Sequence, residues 1–265
     1  MHIFFNDATI HVRVQGSGAE TLVLLHGYLE SLEVWNGFAR DLAGKYRVVM
    51  VDLPGHGLSG QVSPVHDMDL LAQAVHTVLD ALNISRCFLA GHSMGGYVAL
   101  ACLEAFPEYF KGVCLLHSTP FADTPEKQRN RDREIGLIRE GKLPVICQVN
   151  IPNGFAPAHL ETMKAEVDRV TRIAAASSPE GTIALLEGLK TRPDRQALFQ
   201  TTRVPLLLIL GLQDNYIDFQ TMLATAQTAS NVTVVTLEHS GHNGFIEEPV
   251  ATIRALSEWM AHAEA

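Results

Sequence analysis

A serine in a glycine-rich turn is the strongest candidate for chemistry in this sequence. The segment Gly91-His92-Ser93-Met94-Gly95-Gly96 follows an apolar run typical of a strand and precedes a helical pattern. A serine on so sharp a turn is tolerated only if the residues two before and two after it carry no side chain. Its Oγ would then project beyond the sheet, and the next helix would point its N-terminus at a developing oxyanion. The pattern predicts a nucleophile at Ser93; the alternative is an incidental serine in a strand–helix connection.

An acid and a base that could activate this serine follow two later apolar runs. A nucleophilic serine needs a base that takes its proton near neutral pH and an acid that fixes the tautomer of that base. Asp214 and His242 each leave the carboxyl end of a predicted strand, where open α/β sheets place their sites. Asp123 and Asp218 are rivals for the acid. We favour Asp214 because its short step from the strand keeps the carboxylate at the sheet edge.

Two glycine turns and a histidine pair also needed interpretation. In His26-Gly27-Tyr28-Leu29, the glycine would let the backbone bend so that the next N–H faces Ser93. Residues 52–60 contain a literal G-x-G-x-x-G, but no helical pattern begins at its last glycine, so we predict a structural turn and no dinucleotide site. His239 and His242 form H-x-x-H without a third ligand at a sensible spacing, so no metal site is predicted.

Short apolar runs alternate with longer helical patterns along the chain. The runs are continuous, as in strands buried on both faces of a parallel sheet, and they cover 22–26, 48–52, 87–91, 112–117, 206–211 and 232–237. Helical patterns cover about 31–43, 68–82, 94–106, 217–228 and 249–262. His2–Phe5 and Thr9–Val14 predict an N-terminal hairpin. The alternation predicts an α/β fold with a mostly parallel central sheet flanked by helices.

One long interval breaks this alternation. Residues 122–196 contain no convincing strand, and their charged opening begins with Thr124-Pro125-Glu126, typical of a helix N-terminus. Further helical spacing runs from Leu160 to Ala174, and Ser178-Pro179-Glu180 begins another helix. We therefore predict a helical insertion at 122–196 within a core formed by 1–121 and 197–265.

Composition excludes several classes of protein. The 265 residues carry 20 Lys and Arg against 29 Asp and Glu, and the net charge of −9 argues against a nucleic-acid partner. The four cysteines form no CxxC pair and three lie in apolar runs, which is typical of a reducing compartment; they are Cys87, Cys102, Cys114 and Cys147. The sequence shows neither a signal peptide nor an apolar run of the ~20 residues that span a bilayer, so a cytoplasmic protein is predicted.

With these residues in view, the sequence resembles the α/β-hydrolase superfamily, in its capped, serine-nucleophile, carboxylesterase-like branch. The resemblance extends over essentially the whole chain and rests on LLHGYLES, DLPGHGLSG, GHSMGGYVAL, LLLILGLQDNYID and SGHNGFIEEP. It implies that Ser93 is the nucleophile, His242 the general base and Asp214 the acid. It also implies that the N–H groups of Tyr28 and Met94 form the oxyanion hole, and that the insertion is a cap domain. A serine at this turn argues against the dehalogenase and epoxide hydrolase branches, which use aspartate at the same position.

The predicted function is cleavage of a small ester-type substrate by water through a Ser93 acyl-enzyme, without cofactor or metal. The same triad would serve a carbon–carbon bond hydrolase, a thioesterase, a lactonase or a perhydrolase, and a non-catalytic ligand receptor is a further alternative. Largely apolar walls would favour a neutral or weakly polar substrate. The residues predicted to line the pocket are Tyr28, Leu29, Trp35, Tyr97, Phe121, Phe155, Tyr216 and Phe245.

Overall fold

Eight strands form one sheet in the computed structural model, which describes residues 1–263. The strands are β1 His2–Phe5, β2 Ala8–Gln15, β3 Thr21–Leu25, β4 Arg47–Val51, β5 Cys87–His92, β6 Phe110–Leu116, β7 Leu206–Gly211 and β8 Val232–Leu237. Their order in the sheet is β1-β2-β4-β3-β5-β6-β7-β8. Strand β2 is antiparallel to β1 and β4, and the other neighbours are parallel. The predicted fold class is confirmed; residues 264 and 265 of the predicted core segment lie outside the described residues.

Position in the sheet explains how deeply each strand is buried. Strands β3, β5 and β7 have neighbours on both sides and are buried at every position, as their continuous apolar sequences predict. Strand β8 was expected to be equally buried, but only its last residue, Leu237, is. It is an edge strand that pairs with β7 alone, and its two threonines are exposed. The apolar run therefore predicts that β8 is a strand but does not predict that it lies at the edge of the sheet.

Helices flank the sheet and connect its strands. In the core they are α1 Asn36–Leu42, α2 Met68–Ala81, α3 Met94–Ala105, α10 Phe219–Gln227, α11 Gly244–Glu247 and α12 Pro249–Ala263, with 3₁₀ turns at Leu32–Trp35 and Pro107–Tyr109. Asp67 caps α2 by accepting a hydrogen bond from the Leu70 N–H, at 2.8 Å. The dinucleotide-like loop is thus followed by a helix only at Met68. No helix within residues 1–263 has the length and apolar character needed to cross a bilayer.

Six helices lie between β6 and β7. They are α4 Pro125–Arg139, α5 Leu143–Asn153, α6 His159–Thr162, α7 Lys164–Ala175, α8 Pro179–Lys190 and α9 Gln196–Thr201. Thr124 and Ser178 cap α4 and α8, as their sequences predict. The single helical stripe expected from Leu160 to Ala174 is divided at Met163 into α6 and α7. Helix α5 was not predicted; Pro144 is compatible with its first turn, but Pro152 lies within the helix, where proline is unfavourable.

Candidate active site

Ser93 occupies a strained turn between β5 and α3. Its φ of 50° and ψ of −113° lie where a residue with a side chain is uncommon. Glycines surround it because a Cβ at Gly91 would lie 2.1 Å from the Gly95 carbonyl oxygen, and one at Gly95 would lie 2.4 Å from the Leu25 oxygen. The Ser93 N–H donates to the Leu116 carbonyl at 2.9 Å, which ties the turn to β6. Neighbouring backbone thus holds the serine at the edge of the cavity that it lines.

His242 and Asp214 form a hydrogen-bonded pair beside this turn. The His242 Nδ1 lies 2.8 Å from the Asp214 Oδ2, while Oδ1 accepts from the N–H groups of Tyr216 at 2.8 Å and Ile217 at 3.0 Å. Burial favours the neutral carboxyl, but His242 and His117 together hold the pKa of Asp214 well below its ordinary value. An ionised Asp214 requires the proton of His242 on Nδ1. Its Nε2 therefore carries the lone pair that a general base needs.

The rival acids have other partners. Asp123 precedes the charged opening of the interval 122–196, but its side chain is buried and accepts hydrogen bonds from Arg131 and Arg192. Asp218 caps α10 by accepting from the Thr221 N–H at 2.7 Å. Of the three candidates, the structure brings only Asp214 into contact with His242.

Two residues that line the cavity with Ser93 have backbone N–H groups without an acceptor in the described part of the chain. Those of Tyr28, after β3, and Met94, the first residue of α3, donate to no acceptor within residues 1–263. They are the groups that the family resemblance implies for an oxyanion hole. Ser93 and His242 also line this cavity, although no hydrogen bond joins their side chains or links the Ser93 Oγ to any other part of the described chain. Catalytic hydrogen bonds commonly tighten only when substrate binds.

A buried ion pair joins the loops that carry these groups. His92 Nδ1 lies 3.0 Å from Glu30 Oε2, and the same carboxylate oxygen accepts from the Gly27 N–H at 2.6 Å. The other ring nitrogen of His92 donates to the His242 carbonyl oxygen at 2.8 Å. Burial opposes the charge on both groups, but their mutual attraction raises the pKa of His92 and lowers that of Glu30. The pair therefore connects the segment of Gly27 and Tyr28 after β3, the turn of Ser93 and the loop of His242. The sequence alone does not predict this pair, because its partners are 62 residues apart.

His117 is a further residue that the sequence analysis missed. It follows β6, has a φ of 50°, and its Nε2 accepts from the Gly244 N–H at 3.1 Å. The proton must then be on Nδ1, which lies 3.4 Å from Asp214 Oδ2. Ligand atoms of His117, Asp214 and His242 lie within 4.8 Å of one another, a spacing that could hold a metal ion. His242 Nδ1 and Asp214 Oδ2 already form a hydrogen bond of 2.8 Å with each other, whereas His117 Nδ1 has no hydrogen-bond partner within residues 1–263. The sequence feature that could have indicated a role for His117 is its position at the carboxyl end of a predicted strand.

A cavity of about 410 Å³ lies between the sheet edge and the inserted helices. Of the predicted wall residues, Tyr28, Leu29, Tyr97 and Tyr216 line it. Trp35, Phe155 and Phe245 are not among its lining residues and belong to the buried hydrophobic core. Trp35 packs against Phe245 in a tilted arrangement with ring centroids 4.3 Å apart, and Phe245 in turn contacts the His92 ring at 4.9 Å. These two aromatic rings therefore help to hold the His92 ring in place.

One wall of the cavity is polar, although the lining as a whole is more apolar than polar, as the sequence predicts. Half-buried Phe121 is not among the lining residues and packs against the hydrophobic core. Instead, polar and charged side chains from the inserted helices face the cavity: Lys127, Asn130, Arg131, Glu134 and Asn150. The sequence shows only that Lys127, Arg131 and Glu134 belong to a charged segment. Their shared face on α4 borders a cavity only once the fold sets that helix over the sheet.

Comparison with known proteins defines the class to which this chain belongs. Residues 22–255 match the alpha/beta hydrolase family, so the chain is a member of that family of hydrolases. It is 28% identical over 231 residues to the dihydrolipoyllysine-residue acetyltransferase component of an acetoin cleaving system from Pseudomonas putida, covering 86% of this chain and 60% of that protein. The chain spans 37% and 42% of the next two curated relatives it matches.

Two further relatives match over nearly their full length. The chain is 25% identical over 276 residues to 2-hydroxy-6-oxononadienedioate/2-hydroxy-6-oxononatrienedioate hydrolase 1 of Pseudomonas putida, covering 97% of this chain and 93% of that protein. A malate-bound structure of a thermophilic esterase from Thermogutta terrifontis superposes with a TM-score of 0.95 at 24% identity, covering 100% and 99% of the two chains. At that identity the likeness shows the shared fold.

Proposed function

We propose that this hydrolase is a serine esterase that cleaves a small ester-type substrate through an acyl-enzyme on Ser93. The observation that carries the proposal is the His242–Asp214 hydrogen bond of 2.8 Å beside the strained serine turn. It leaves Nε2 of His242 to act as the proton acceptor, and His242 and Ser93 line the same cavity. Family membership supports hydrolysis in general; the assignment of roles rests on this arrangement.

The reaction would proceed in two half-cycles. The His242 Nε2 takes the proton of Ser93 Oγ as that oxygen attacks the substrate carbonyl carbon. The resulting oxyanion accepts hydrogen bonds from the N–H groups of Tyr28 and Met94, and His242 then protonates the leaving alcohol. Water then attacks the acyl-enzyme with the same proton transfers through His242, which releases the acid and regenerates Ser93. The carboxylate of Asp214 stabilises the imidazolium that forms in each half-cycle.

Carbon–carbon bond hydrolysis is a second candidate on the same residues. It is favoured by the relative from Pseudomonas putida, a 2-hydroxy-6-oxononadienedioate hydrolase by name, which this chain matches over 97% of its own length. Turnover of p-nitrophenyl esters compared with a vinylogous 1,5-diketone would distinguish the two activities. An esterase should show the higher kcat/KM on the ester.

Covalent labelling tests the proposed nucleophile. A fluorophosphonate should add one equivalent to Ser93 at neutral pH, because its tetrahedral adduct engages the same base and oxyanion donors as the transition state. Intact-mass spectrometry with peptide mapping would locate the adduct. Ser93→Ala should remain unlabelled, and His242→Ala should be labelled far more slowly. An unlabelled wild-type protein, or a label on another residue, would contradict the proposal.

A further inference from the structure

One face of α4 forms a polar wall of the cavity. Lys127, Asn130, Arg131 and Glu134 all border it, at the i, i+3, i+4 and i+7 spacing that aligns side chains along one side of a helix. Seven residues at ~1.5 Å each separate Lys127 from Glu134 by about 10 Å along the helix axis. The wall is therefore as long as a small substrate.

Its two ends differ in charge. At one end, Glu134 Oε1 accepts hydrogen bonds from the Tyr28 hydroxyl at 2.9 Å and from Asn150 Nδ2 at 3.3 Å. Glu134 thereby contacts the residue whose N–H is assigned to the oxyanion hole. Burial raises the pKa of Glu134 above its ordinary value. This end of the wall therefore offers no positive charge to an anionic group of a substrate.

The other end carries an excess of positive charge. Asp123 pairs with both Arg131 and Arg192, so one carboxylate serves two guanidinium groups. The Arg192 guanidinium also lies 4.0 Å from the centre of the Tyr97 ring. Lys127 has no carboxylate within ion-pair distance among residues 1–263. Burial, together with the charges of Arg192 and Arg131, lowers the pKa of its ammonium group.

We infer that Lys127, Asn130 and Arg131 form a carboxylate-binding subsite, so that the substrate is an ester with a free carboxylate distant from the scissile carbonyl. The unpaired ammonium group supplies the balancing charge for one anion, while the guanidinium and the amide supply directional donors. Glu134 at the opposite end fixes the orientation, with the carbonyl towards Tyr28. Which end of the substrate reacts depends on the proposed function. Binding of an anion by the subsite does not.

Binding to Ser93→Ala tests the subsite without requiring turnover. Monomethyl suberate and dimethyl suberate differ by one charge and have similar lengths, and calorimetric titration would give both dissociation constants. The half-ester should bind about tenfold more tightly, the size expected of one contact with a charged group. The preference should fall as salt is added, because the charges are partly exposed.

Two variants locate the effect, each on the Ser93→Ala background. Lys127→Met should abolish the preference for the half-ester while leaving the affinity for the diester unchanged. Arg129→Met removes a positive charge from the opposite side of α4, where the side chain is exposed and does not border the cavity, and should keep the preference. Equal affinities for the two esters, or equal effects of the two variants, would overturn the subsite. Failure of wild-type turnover, with the binding preference intact, would overturn only the esterase proposal.

Discussion

Asp214 contacts the candidate base, whereas Asp123 and Asp218 have their hydrogen bonds elsewhere. Asp214→Asn should lower kcat by about 10⁴-fold, because the amide can no longer fix the His242 tautomer or stabilise its charge. Asp218→Asn should leave kcat nearly unchanged, since an asparagine also caps a helix. Steady-state kinetics with a p-nitrophenyl ester would compare all three Asp→Asn variants. A greater loss of kcat for Asp123→Asn than for Asp214→Asn would refute the assignment.

The strained φ of Ser93 implies a conflict between stability and function at this residue. Ser93→Ala keeps a Cβ at the positive φ of 50° and should leave the free energy of unfolding nearly unchanged. Ser93→Gly should raise it by about 1 kcal/mol, because relief of the strain exceeds the added entropy of the unfolded chain. Urea denaturation of both variants measures the difference. Both should lose turnover, by up to about 10⁶-fold. Equal stabilities would mean that the turn is unstrained.

At the scale of the elements, the Glu30–His92 pair links the ends of β3 and β5. The raised pKa of His92 means that its contribution to stability is complete below its ordinary value of 6.5 and is lost as pH rises through the folded value. The lowered pKa of Glu30 means that its contribution is complete above 4.5 and is lost as pH falls. The pair should therefore contribute most between pH 4.5 and 6.5.

Glu30→Gln tests this pH window. The variant should be less stable than the wild type by about 3 kcal/mol within the window, because the buried imidazolium loses its partner. The difference should shrink at higher and lower pH. Urea midpoints measured from about pH 4 to pH 9 would show the profile. A difference that does not vary with pH would show that the pair is not ionised.

Several elements could be predicted because their signals are local. Continuous apolar runs identify the buried strands, and in a parallel sheet the carboxyl ends of such strands share one edge. That rule alone brings Ser93, Asp214 and His242 to the same region. The glycines around Ser93 also act locally, since each avoids a clash with neighbouring backbone.

Other features depend on contacts that the sequence does not display. The Glu30–His92 pair and the His117–Asp214 contact join residues distant along the chain. The aromatic residues Trp35 and Phe245 have the composition expected of pocket walls, but packing places them in the core. Likewise, the charges on α4 resemble a solvated helix face until the fold sets one side of that helix over the cavity.

For the molecule as a whole, the four cysteines report whether the core is intact. All are free and buried, and burial raises the pKa of Cys87 to about 12 and of Cys147 to about 11. Because the thiolate is the reactive form, the native protein should react negligibly with Ellman's reagent at neutral pH. Four equivalents should react in guanidinium chloride. Rapid reaction of the native protein would indicate opening of the core.

The positions of the three candidate catalytic residues along the chain also matter during synthesis on the ribosome. Strand β5 can pair with β3 and β6 as soon as the first half of the polypeptide has emerged, which places the serine turn early. Asp214 and His242 follow β7 and β8, so they are translated much later. A nascent chain would therefore carry the hydroxyl without its proton acceptor. On this view the enzyme becomes reactive only in the final stage of its own production, when the last strands dock.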